Sequence, residues 1–390
     1  MSEVLLTEEA DCPEYLRGDE VRMFERAAAA FLSDNAGPAQ TRSWRDAGFV
    51  DESLWRRAGD AGLLGLQAPV EYGGAGADFR FDVVLMEQLA AHQALNFAIP
   101  LHNAVVAPYL IDYASAEQNA RWLPHVVSGE CVLAVAMSEP VAGSDLQSIR
   151  TTARRVGAEY VLNGQKTFIS NGRVASLFVV AAKTDPAAGA KGISLFLVDA
   201  STPGFTRGRM LEKLGQEGRD TAEIFLSDVR VPAANLLGGV EGRGFAMLMA
   251  KLPQERLVIA WQALGMMRSA LRHTIAYVKE RCAFGKSLLH FQNTQFTLAE
   301  CKTRTTVAAV FLHHCTERLL AGRLDAATAS MAKYWITEAQ SYVVDECLQL
   351  FGGYGYMREY PIAEMYKDAR GFRIYGGSTE IMKLMIARTL

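Results

Sequence analysis

The sequence has no cysteines at the spacing of a metal site or of a disulfide framework. Its six cysteines are scattered without a C-x-x-C pair: Cys12, Cys131, Cys282, Cys301, Cys315 and Cys347. This scatter argues against a zinc site and against a disulfide-stapled fold. Because unpaired cysteines fit a reducing compartment, we expect a cytoplasmic protein.

The chain also lacks an excess of charge of either sign. Forty basic residues stand against 43 acidic residues, which gives a net charge of -3, and no basic block occurs. Electrostatics therefore offer no case for nucleic-acid binding, and polyanionic partners are not expected.

Neither a membrane span nor a targeting segment is predicted. The longest stretch without formal charge, residues 88–111, is interrupted by polar and helix-breaking residues: His92, Asn96, Pro100, His102, Asn103 and Pro108. Such interruptions favour a buried helix pair over a membrane span. The N-terminus lacks the basic flank and apolar core of a signal peptide, so we expect neither export nor organelle targeting. It carries four acidic residues instead: Glu3, Glu8, Glu9 and Asp11.

Several familiar site motifs are missing. Gly285-Lys286-Ser287 resembles the end of a phosphate-binding P-loop, but Glu280 stands where the first glycine must be. Gly352-Gly353-Tyr354-Gly355 lacks the G-x-G-x-x-G spacing, so it is not a dinucleotide fingerprint. The seven histidines show no metal-ligand spacing, and no metal is predicted. The absence of a G-x-S-x-G elbow weakens a serine-hydrolase interpretation.

The chain does have the length and apolar content of a large globular protein. Its 390 residues, 50% of them hydrophobic, can form two or three packed regions. Helical spacing from Val21 to Phe31 begins the first region, and short apolar runs beyond Cys131 predict strands. We expect strands at residues 132–137, 160–162, 177–182, 193–198 and 222–226. We expect turns at Asn163-Gly164, Asn171-Gly172 and Pro203-Gly204.

After Pro232 the helical period returns and persists. It predicts long helices over residues 242–281, 291–322 and 325–351. Asp325 suits the N-cap of the last helix, and Gly352-Gly353 suits its end. This helix should bury one face: Ala329, Ala332, Ile336, Ala339, Val343, Cys347 and Leu350.

The order of helices, then strands, then helices predicts an α+β fold. We divide it into an N-terminal helical domain (1–130), a middle β-domain (131–240) and a C-terminal helical bundle (241–390). A doubly wound α/β fold is disfavoured, because strands and helices would then alternate.

Small and hydroxyl residues follow the predicted strands, at Ser138, Gly143-Ser144 and Ser170-Asn171-Gly172. Backbone donors approach a ligand closely where no Cβ intervenes, so these positions suit a planar ring and a diphosphate. Ordinary turn formation is the alternative for the same residues. Glu255, in the middle of the long apolar helix, is the candidate catalytic residue, with a solvated surface carboxylate as its alternative.

Motifs along nearly the whole chain resemble the acyl-CoA dehydrogenase family. They include Ser138-Glu139-Pro140-Val141-Ala142-Gly143-Ser144-Asp145, Lys166-Thr167-Phe168-Ile169-Ser170-Asn171-Gly172, Arg281-Cys282-Ala283-Phe284-Gly285, Gln349-Leu350-Phe351-Gly352-Gly353 and Ile374-Tyr375-Gly376-Gly377-Ser378-Thr379-Glu380. Within that family the chain is most similar to the long-chain enzymes, on the basis of Leu252-Pro253-Gln254-Glu255-Arg256-Leu257-Val258-Ile259-Ala260 and Met331-Ala332-Lys333-Tyr334-Trp335.

The resemblance implies FAD bound non-covalently between the β-domain and the C-terminal helices. The matching positions in one subunit are Val135, Ala136, Met137, Ser138, Gly143, Ser144, Phe168, Ile169 and Ser170. The residues that would contact the cofactor of a neighbouring subunit are Arg281, Gln292, Gln349, Leu350, Phe351, Gly352 and Gly353. Those that would close the flavin side are Ser378, Thr379 and Glu380. Because each chain would supply only part of a cofactor site, the resemblance implies a homo-oligomer, which we expect to be a tetramer.

Arg281 also has a rationale of its own. A planar guanidinium suits a diphosphate, although an arginine at a helix end is more often a surface residue.

The reaction that the resemblance implies is α,β-dehydrogenation of an acyl-CoA thioester. A carboxylate removes the α-proton while the β-hydrogen leaves as hydride to the flavin, with electrons passing on to electron-transfer flavoprotein. In most of the family the base precedes the glycine that matches Gly377, but Gly376 occupies that position here. The long-chain and isovaleryl branches place the base on the long helix, and Glu255 is the matching residue. Burial beside flavin and acyl chain should raise the pKa of Glu255 toward neutrality.

The resemblance also assigns a set of substrate-binding residues. They are Ser144, Ala190, Lys191, Phe245, Pro253, Gln254, Arg256, Gly376 and Gly377. Val141 departs from the family signature, which usually has glycine there. Since valine forbids positive φ and adds bulk, we expect altered geometry or space near the cofactor loop.

Three functions remain open from the sequence. The first is an acyl-CoA dehydrogenase for medium, long or branched chains. The second is a related flavoprotein, either an acyl-thioester oxidase or a dehydrogenase of an acyl group on a carrier protein. The third is a non-catalytic flavin-binding subunit, against which the retention of Glu255 argues.

Overall fold

The N-terminal part of the chain is helical. The computed structural model describes residues 5, 6 and 12–390, so the acidic residues used for the targeting prediction (Glu3, Glu8, Glu9 and Asp11) lie outside the described residues. The helices of this part are α1 (Asp19–Asn35), α2 (Pro38–Ala47), α3 (Glu52–Asp60), α4 (Phe79–Ala91), α5 (Ala107–Tyr113) and α6 (Ala116–Ser128). Ser115 and Gln118 exchange hydrogen bonds in a capping box that begins α6.

A π-helix, Leu101–Val106, leads directly into α5. The prediction for residues 88–111 is correct for burial, because most of the stretch is enclosed. It is also correct for a helix pair, because α4 ends at Ala91 and a second helical stretch begins at residue 99 and continues through the wider π turn into α5. His102 within this turn is fully buried: it faces the carbonyl oxygen of Val126 through Nε2, at 3.1 Å, and accepts the amide of Leu133 at Nδ1, at 3.2 Å.

A twisted sheet forms the middle of the chain. Its strands are β1 (Leu133–Ala136), β2 (Thr152–Val156), β3 (Glu159–Ser170), β4 (Leu177–Lys183), β5 (Ile193–Asp199), β6 (Phe205–Met210) and β7 (Thr221–Pro232). Within the described residues the order is β1-β4-β2-β3-β7-β6, with β5 paired to β4. β4 pairs in parallel with β1 and β2, and the other pairs are antiparallel.

Two sequence predictions for this sheet are wrong. β2 and β6 were not predicted, because each is mostly exposed and so carries no apolar run. Asn163-Gly164 is not a turn but lies inside β3, where the register with β7 shifts. Gly164 is required there by close approach, since a Cβ would meet Thr151 Oγ1 at 2.3 Å.

Long helices follow the sheet. They are α7 (Gly244–Glu280), α8 (Gln292–Leu320), α9 (Ala326–Leu350), α10 (Pro361–Phe372) and α11 (Thr379–Ala387), with a hairpin of β8 (Cys282–Ala283) and β9 (Lys286–Ser287) between α7 and α8. The predicted N-cap is confirmed, because Asp325 accepts the amide of Thr328 at 2.8 Å. The predicted face of α9 is buried apart from Leu350, which is half-buried.

α7 is the central helix of the molecule. It packs against α4, α8, α9, α10 and the π-helix, and most of its second half is enclosed on all sides. A continuous core therefore joins the helical regions through α7. No helix in the described part of the chain is both long and apolar enough to cross a lipid bilayer.

Candidate active site

Glu255 lies in the enclosed part of α7, with only 6% of its surface exposed. Its Oε1 accepts a hydrogen bond from the hydroxyl of Tyr109 on α5, at 2.7 Å. Burial raises the pKa of Glu255 to about 7, although the Tyr109 hydrogen bond and the charges of Arg256 and Lys251 oppose the rise. A carboxyl group that titrates near neutrality is suited to accept a proton at physiological pH.

The neighbours of Glu255 in sequence are held by other helices. Gln254 donates through Nε2 to the carbonyl oxygen of Ala104 in the π-helix, at 2.8 Å. Arg256 donates to Ser330 Oγ on α9 at 3.1 Å, and its Nε is buried without a hydrogen-bond partner in the described chain. Pro253 lies inside the helix, where a proline removes one backbone hydrogen bond.

The loop after β1 is fixed by a buried ion pair. Lys166 donates to Glu139 Oε1 at 2.8 Å and to the carbonyl oxygen of Met137 at 3.1 Å. Glu139 also accepts the amides of Arg150 and Thr151, at 2.6 and 3.0 Å. These hydrogen bonds therefore fix the first residues of the turn that contains Ser138, Gly143 and Ser144.

Val141 occupies the tip of this turn. Glu139 and Ala142 exchange backbone hydrogen bonds of 2.9 and 3.0 Å, so the turn closes tightly. The Val141 side chain is 57% exposed, and its φ is not positive. The valine therefore fits the turn without a positive φ, and altered space near the cofactor loop stays a prediction.

Phe168 carries the backbone strain of the region. Its φ is 59°, at the register shift between Lys166 and Ile169 in β3, and its side chain is 70% exposed. A bulky residue in the left-handed region is costly, and such strain is concentrated at functional sites. The bulge directs a large aromatic ring outward next to Ser170, which ends the strand.

A second group of predicted cofactor residues meets where α7 and α9 end. A pocket of about 560 Å³ is lined by Arg281, Gln349, Leu350, Phe351, Gly352 and Gly353, together with Tyr277 and Tyr354. Arg281 has no carboxylate partner among the described residues; its guanidinium lies 5.7 Å from the Tyr354 ring. A Cβ at Gly352 or Gly353 would meet nothing within 4 Å, so their backbone faces open space. Gln292, the exposed first residue of α8, is not among the residues lining this pocket.

The segment before α11 lies against α7 close to Glu255. Gly376 and Gly377 have φ of 67° and 94°, and Lys333 donates to the carbonyl oxygen of Gly377 at 2.6 Å. A Cβ at Gly376 would lie 2.1 Å from Cδ1 of Ile259, one turn after Glu255. Ser378 caps α11, Thr379 donates to Glu338 at 2.8 Å, and Glu380 is exposed.

Three of the remaining predicted substrate residues, Ala190, Lys191 and Phe245, lie around the start of α7. Ala190 and Lys191 belong to the turn between β4 and β5, and Phe245 is half-buried in the first turn of α7. A Cβ at Gly242 would lie 2.3 Å from the carbonyl oxygen of Lys191, so this turn and the start of α7 are in close contact. Ser144 is exposed.

Sequence reasoning missed three residues that support this region. Tyr109 lies in an apolar helix with no motif around it, Lys166 was noted only within a motif, and Lys333 only as part of a resemblance. Each acts through a partner distant in sequence: Glu255, Glu139 and Gly377 respectively. No local spacing in the sequence marks such pairs.

The comparisons with known proteins define the family. Residues 18–130, 134–229 and 242–390 match the N-terminal, middle and C-terminal domains of acyl-CoA dehydrogenase. The chain therefore belongs to the acyl-CoA dehydrogenase family, and it is an oxidoreductase with that family's helix, sheet and helix architecture.

The chain is similar to individual members of the family along nearly its whole length. The long-chain specific acyl-CoA dehydrogenase, mitochondrial, of Mus musculus is 45% identical over 370 residues, which cover 94% of this chain and 86% of the relative. The isovaleryl-CoA dehydrogenase, mitochondrial, of Pongo abelii is 35% identical over 374 residues, 95% of this chain and 88% of the relative. The crystal structure of an acyl-CoA dehydrogenase from Geobacillus kaustophilus superposes with a TM-score of 0.93 at 47% identity, covering 95% of this chain and 98% of that one.

Proposed function

We propose that the protein is an FAD-dependent dehydrogenase that converts a medium-chain, long-chain or branched acyl-CoA to the trans-2-enoyl-CoA in fatty-acid β-oxidation. The observation that carries this proposal is the enclosed carboxyl group of Glu255, oriented by Tyr109 and with a pKa of about 7. The relatives named for long-chain and isovaleryl substrates support the substrate class.

The proposed steps place Glu255 at the α-carbon of the thioester. The Cα–H bond breaks, its proton passes to a carboxylate oxygen of Glu255, and the electron pair forms the Cα=Cβ bond. FAD, when bound, accepts the hydride from Cβ. The enclosed position of Glu255 limits water around the carboxylate, and Tyr109 keeps it oriented.

The residues present fit a flavin dinucleotide in two half-sites. The ion-paired turn at Ser138, Gly143 and Ser144 and the bulge at Phe168 would hold the flavin ring, with Val135, Ala136, Met137, Ile169 and Ser170 beside it. The pocket at Arg281, with Gln349, Leu350, Phe351, Gly352 and Gly353, would hold the diphosphate side of a neighbouring subunit's cofactor, aided by Gln292. Ser378, Thr379 and Glu380 would close the flavin side. The Arg281 guanidinium, which has no carboxylate partner in the part of the chain that the structure describes, lies beside glycines that open onto empty space, and this supports the second half-site.

The substrate would lie along the start of α7. We propose that Ala190, Lys191, Phe245 and Ser144 contact the CoA portion, and that Pro253, Gln254, Arg256, Gly376 and Gly377 surround the acyl thioester. The close contact between Gly242 and Lys191 and that between Gly376 and Ile259 support this path.

Assembly, partner and location are further parts of the proposal. Phe284, at the tip of the β8–β9 hairpin, is 95% exposed, which supports contact with a second subunit in a homotetramer. We propose electron-transfer flavoprotein as the electron acceptor and the cytoplasm as the location. We also propose domains at 1–130, 131–240 and 241–390, supported by the change from helix to strand between α6 and β1 and back between β7 and α7.

A chain-length series tests the function. Linear and branched acyl-CoAs, added anaerobically to the purified yellow protein, should bleach the flavin, with a preference for one length or branching class. In air, transfer to electron-transfer flavoprotein or a dye should exceed formation of hydrogen peroxide. Stoichiometric peroxide with little dye reduction would identify an oxidase instead, and bleaching only by acyl groups on a carrier protein would identify the carrier-dependent alternative.

Replacing Arg281 by alanine should weaken FAD retention by roughly tenfold, because a charge-assisted hydrogen bond to the diphosphate would be lost. Flavin content after gel filtration and titration of the apoprotein measure this. Arg323→Ala, another exposed arginine at a helix end, should retain FAD. Full FAD occupancy in Arg281→Ala would remove this residue from the cofactor site.

Ser170→Ala should keep the cofactor and slow flavin reduction by about fivefold to tenfold, because one hydrogen bond to the reduced ring would be lost. Stopped-flow absorbance with a saturating acyl-CoA measures the rate. Ser201→Ala, in an exposed turn, is the matched control. Reduction at the wild-type rate in Ser170→Ala would place this hydroxyl outside the site.

A further inference from the structure

We propose that Tyr109 is a positioning residue for the base: its hydroxyl holds Oε1 of Glu255, which leaves Oε2 as the oxygen that receives the α-proton. This inference rests on the proposed function and adds to it a residue whose partner is the carboxylate itself. Tyr109 and Glu255 are 146 positions apart, and the two buried side chains meet at 2.7 Å.

The two oxygens of Glu255 have different surroundings. Oε1 is occupied by Tyr109. Oε2 accepts no hydrogen bond from the described residues, and these residues do not enclose it completely. Oε2 is therefore the oxygen of Glu255 that remains for a substrate.

Three contacts fix the π-helix and α5 against α7 at this point. Gln254 binds the carbonyl oxygen of Ala104 in the π-helix at 2.8 Å, and Tyr109 binds Glu255 in the first turns of α5. Lys251, one turn before Glu255, forms an ion pair with Asp112, three residues after Tyr109. Because these contacts follow one helix face on each side, the phenol cannot shift without displacing its neighbours.

Three neighbouring groups and the burial of the side chain act on the charge of Glu255 in opposite directions. Arg256 and Lys251 on α7 and the Tyr109 hydroxyl on α5 favour the ionised carboxylate, whereas burial disfavours it. Lys251 is itself shared with Asp112. Arg256 is directed toward Ser330 and Ala326 on α9. Tyr109 is therefore the group that contacts the carboxylate directly.

Tyr109 is expected to remain a donor throughout the reaction. Burial, together with the charge of Glu255, raises the pKa of the phenol well above its usual value. The proton taken from Cα therefore stays on the Glu255 carboxyl group, and the Tyr109 O–H bond does not break.

Tyr109→Phe tests the inference, because it removes only the hydroxyl. Without this hydrogen bond the ionised carboxylate is less stable, so the pH at which flavin reduction reaches half its maximum should rise by about one unit. At pH 7 the rate should fall about fivefold, because the ionised fraction drops from about one half to about one eleventh, with FAD content unchanged. The measurement is the rate of flavin reduction by acyl-CoA as a function of pH.

Tyr15→Phe is the matched control. It removes the hydroxyl of another tyrosine, which is half-buried and bonded to His313 at 2.8 Å, and it should leave the pH profile unchanged. Incorporating 3,5-difluorotyrosine at position 109 should shift the profile to lower pH, because a more acidic phenol is a stronger donor.

The outcomes separate the two proposals. Wild-type protein whose flavin no acyl-CoA or acyl carrier protein reduces would contradict the proposed function. An active wild type with the same pH profile in Tyr109→Phe would contradict the positioning role alone. If Tyr109→Phe fails to fold, the direction of the fluorotyrosine shift decides, since an unshifted or upward-shifted profile rejects the inference.

Discussion

Glu255→Gln should lower the rate of flavin reduction by acyl-CoA by about 10²-fold or more, which is the usual contribution of a positioned general base. Glutamine keeps the size of the side chain and an oxygen that accepts from Tyr109, so folding and the FAD spectrum should be preserved. Stopped-flow absorbance with a saturating acyl-CoA measures the rate. In the wild type the rate should rise through a pH of about 7 as the carboxyl group ionises.

Glu280→Gln is the control for this substitution, because Glu280 is the exposed last residue of the same helix. It should leave both rate and pH profile unchanged. Full activity in Glu255→Gln would overturn the mechanistic assignment, and Glu380 would then become the next carboxylate to test.

A second substitution probes whether a carboxylate can reach the same carbon from another backbone. Gly376→Glu, added to Glu255→Gln, should restore part of the activity and change the preferred acyl length. Restoration should be incomplete, because Gly376 has a φ of 67° and its Cβ would meet Ile259. Adding Ile259→Ala should improve it by making room. If Gly376→Glu restores no activity, the role of Glu255 is unaffected, but the hypothesis that a carboxylate at position 376 reaches the same α-carbon is rejected.

Lys166→Met should lower the free energy of unfolding by roughly 3–5 kcal/mol, the usual cost of leaving one partner of a buried ion pair uncompensated. Lys166 is fully buried and Glu139 is 5% exposed. Burial lowers the pKa of Lys166 to about 8, although the charge of Glu139 opposes this. The turn at 138–144 should loosen, so FAD retention should fall as well. Urea unfolding followed by circular dichroism, with and without added FAD, measures both effects.

Two variants complete this test. Lys302→Met, on the exposed side of α8, should change stability by less than about 0.5 kcal/mol. Glu139→Gln, combined with Lys166→Met, should recover part of the loss because the unpaired charge is gone, but glutamine has one accepting oxygen, so one of the two backbone amides loses its acceptor and recovery should be incomplete. Lys166→Met with wild-type stability would show that the two amide hydrogen bonds alone satisfy Glu139.

The accuracy of the sequence predictions depends on how local each feature is. α7 was predicted over residues 242–281 and is Gly244–Glu280. The agreement is close because the helical spacing of apolar residues is a property of the local sequence. β2 and β6 were missed, since an exposed strand pairs through its backbone and needs no apolar side chains. Gly164 was assigned to a turn because a glycine after asparagine is typical of one, whereas its role is close packing against Thr151.

The candidate site shows the same difference between features that depend on local sequence and features that depend on distant contacts. Predicted residues in contiguous motifs, such as Gly352-Gly353, lie together in one pocket with Arg281, and their cofactor role stays a prediction. Glu255 was singled out through a resemblance, since its burial depends on packing that the local sequence does not indicate; its catalytic role stays a prediction. Tyr109 was missed entirely, as its partner lies on a helix that the sequence does not connect to it.

The π-helix sets the phase of α5 relative to the helix that carries Glu255. Each residue advances an α-helix by about 100°, so one residue more or fewer in Leu101–Val106 would rotate everything after it by that angle. Tyr109 and Asp112 would then turn away from Glu255 and Lys251 together. A single-residue change in length, remote from every motif, would thus abolish the contact as completely as loss of the tyrosine. In relatives of this chain, conserved spacing between the π turn and the tyrosine should therefore matter as much as the tyrosine itself.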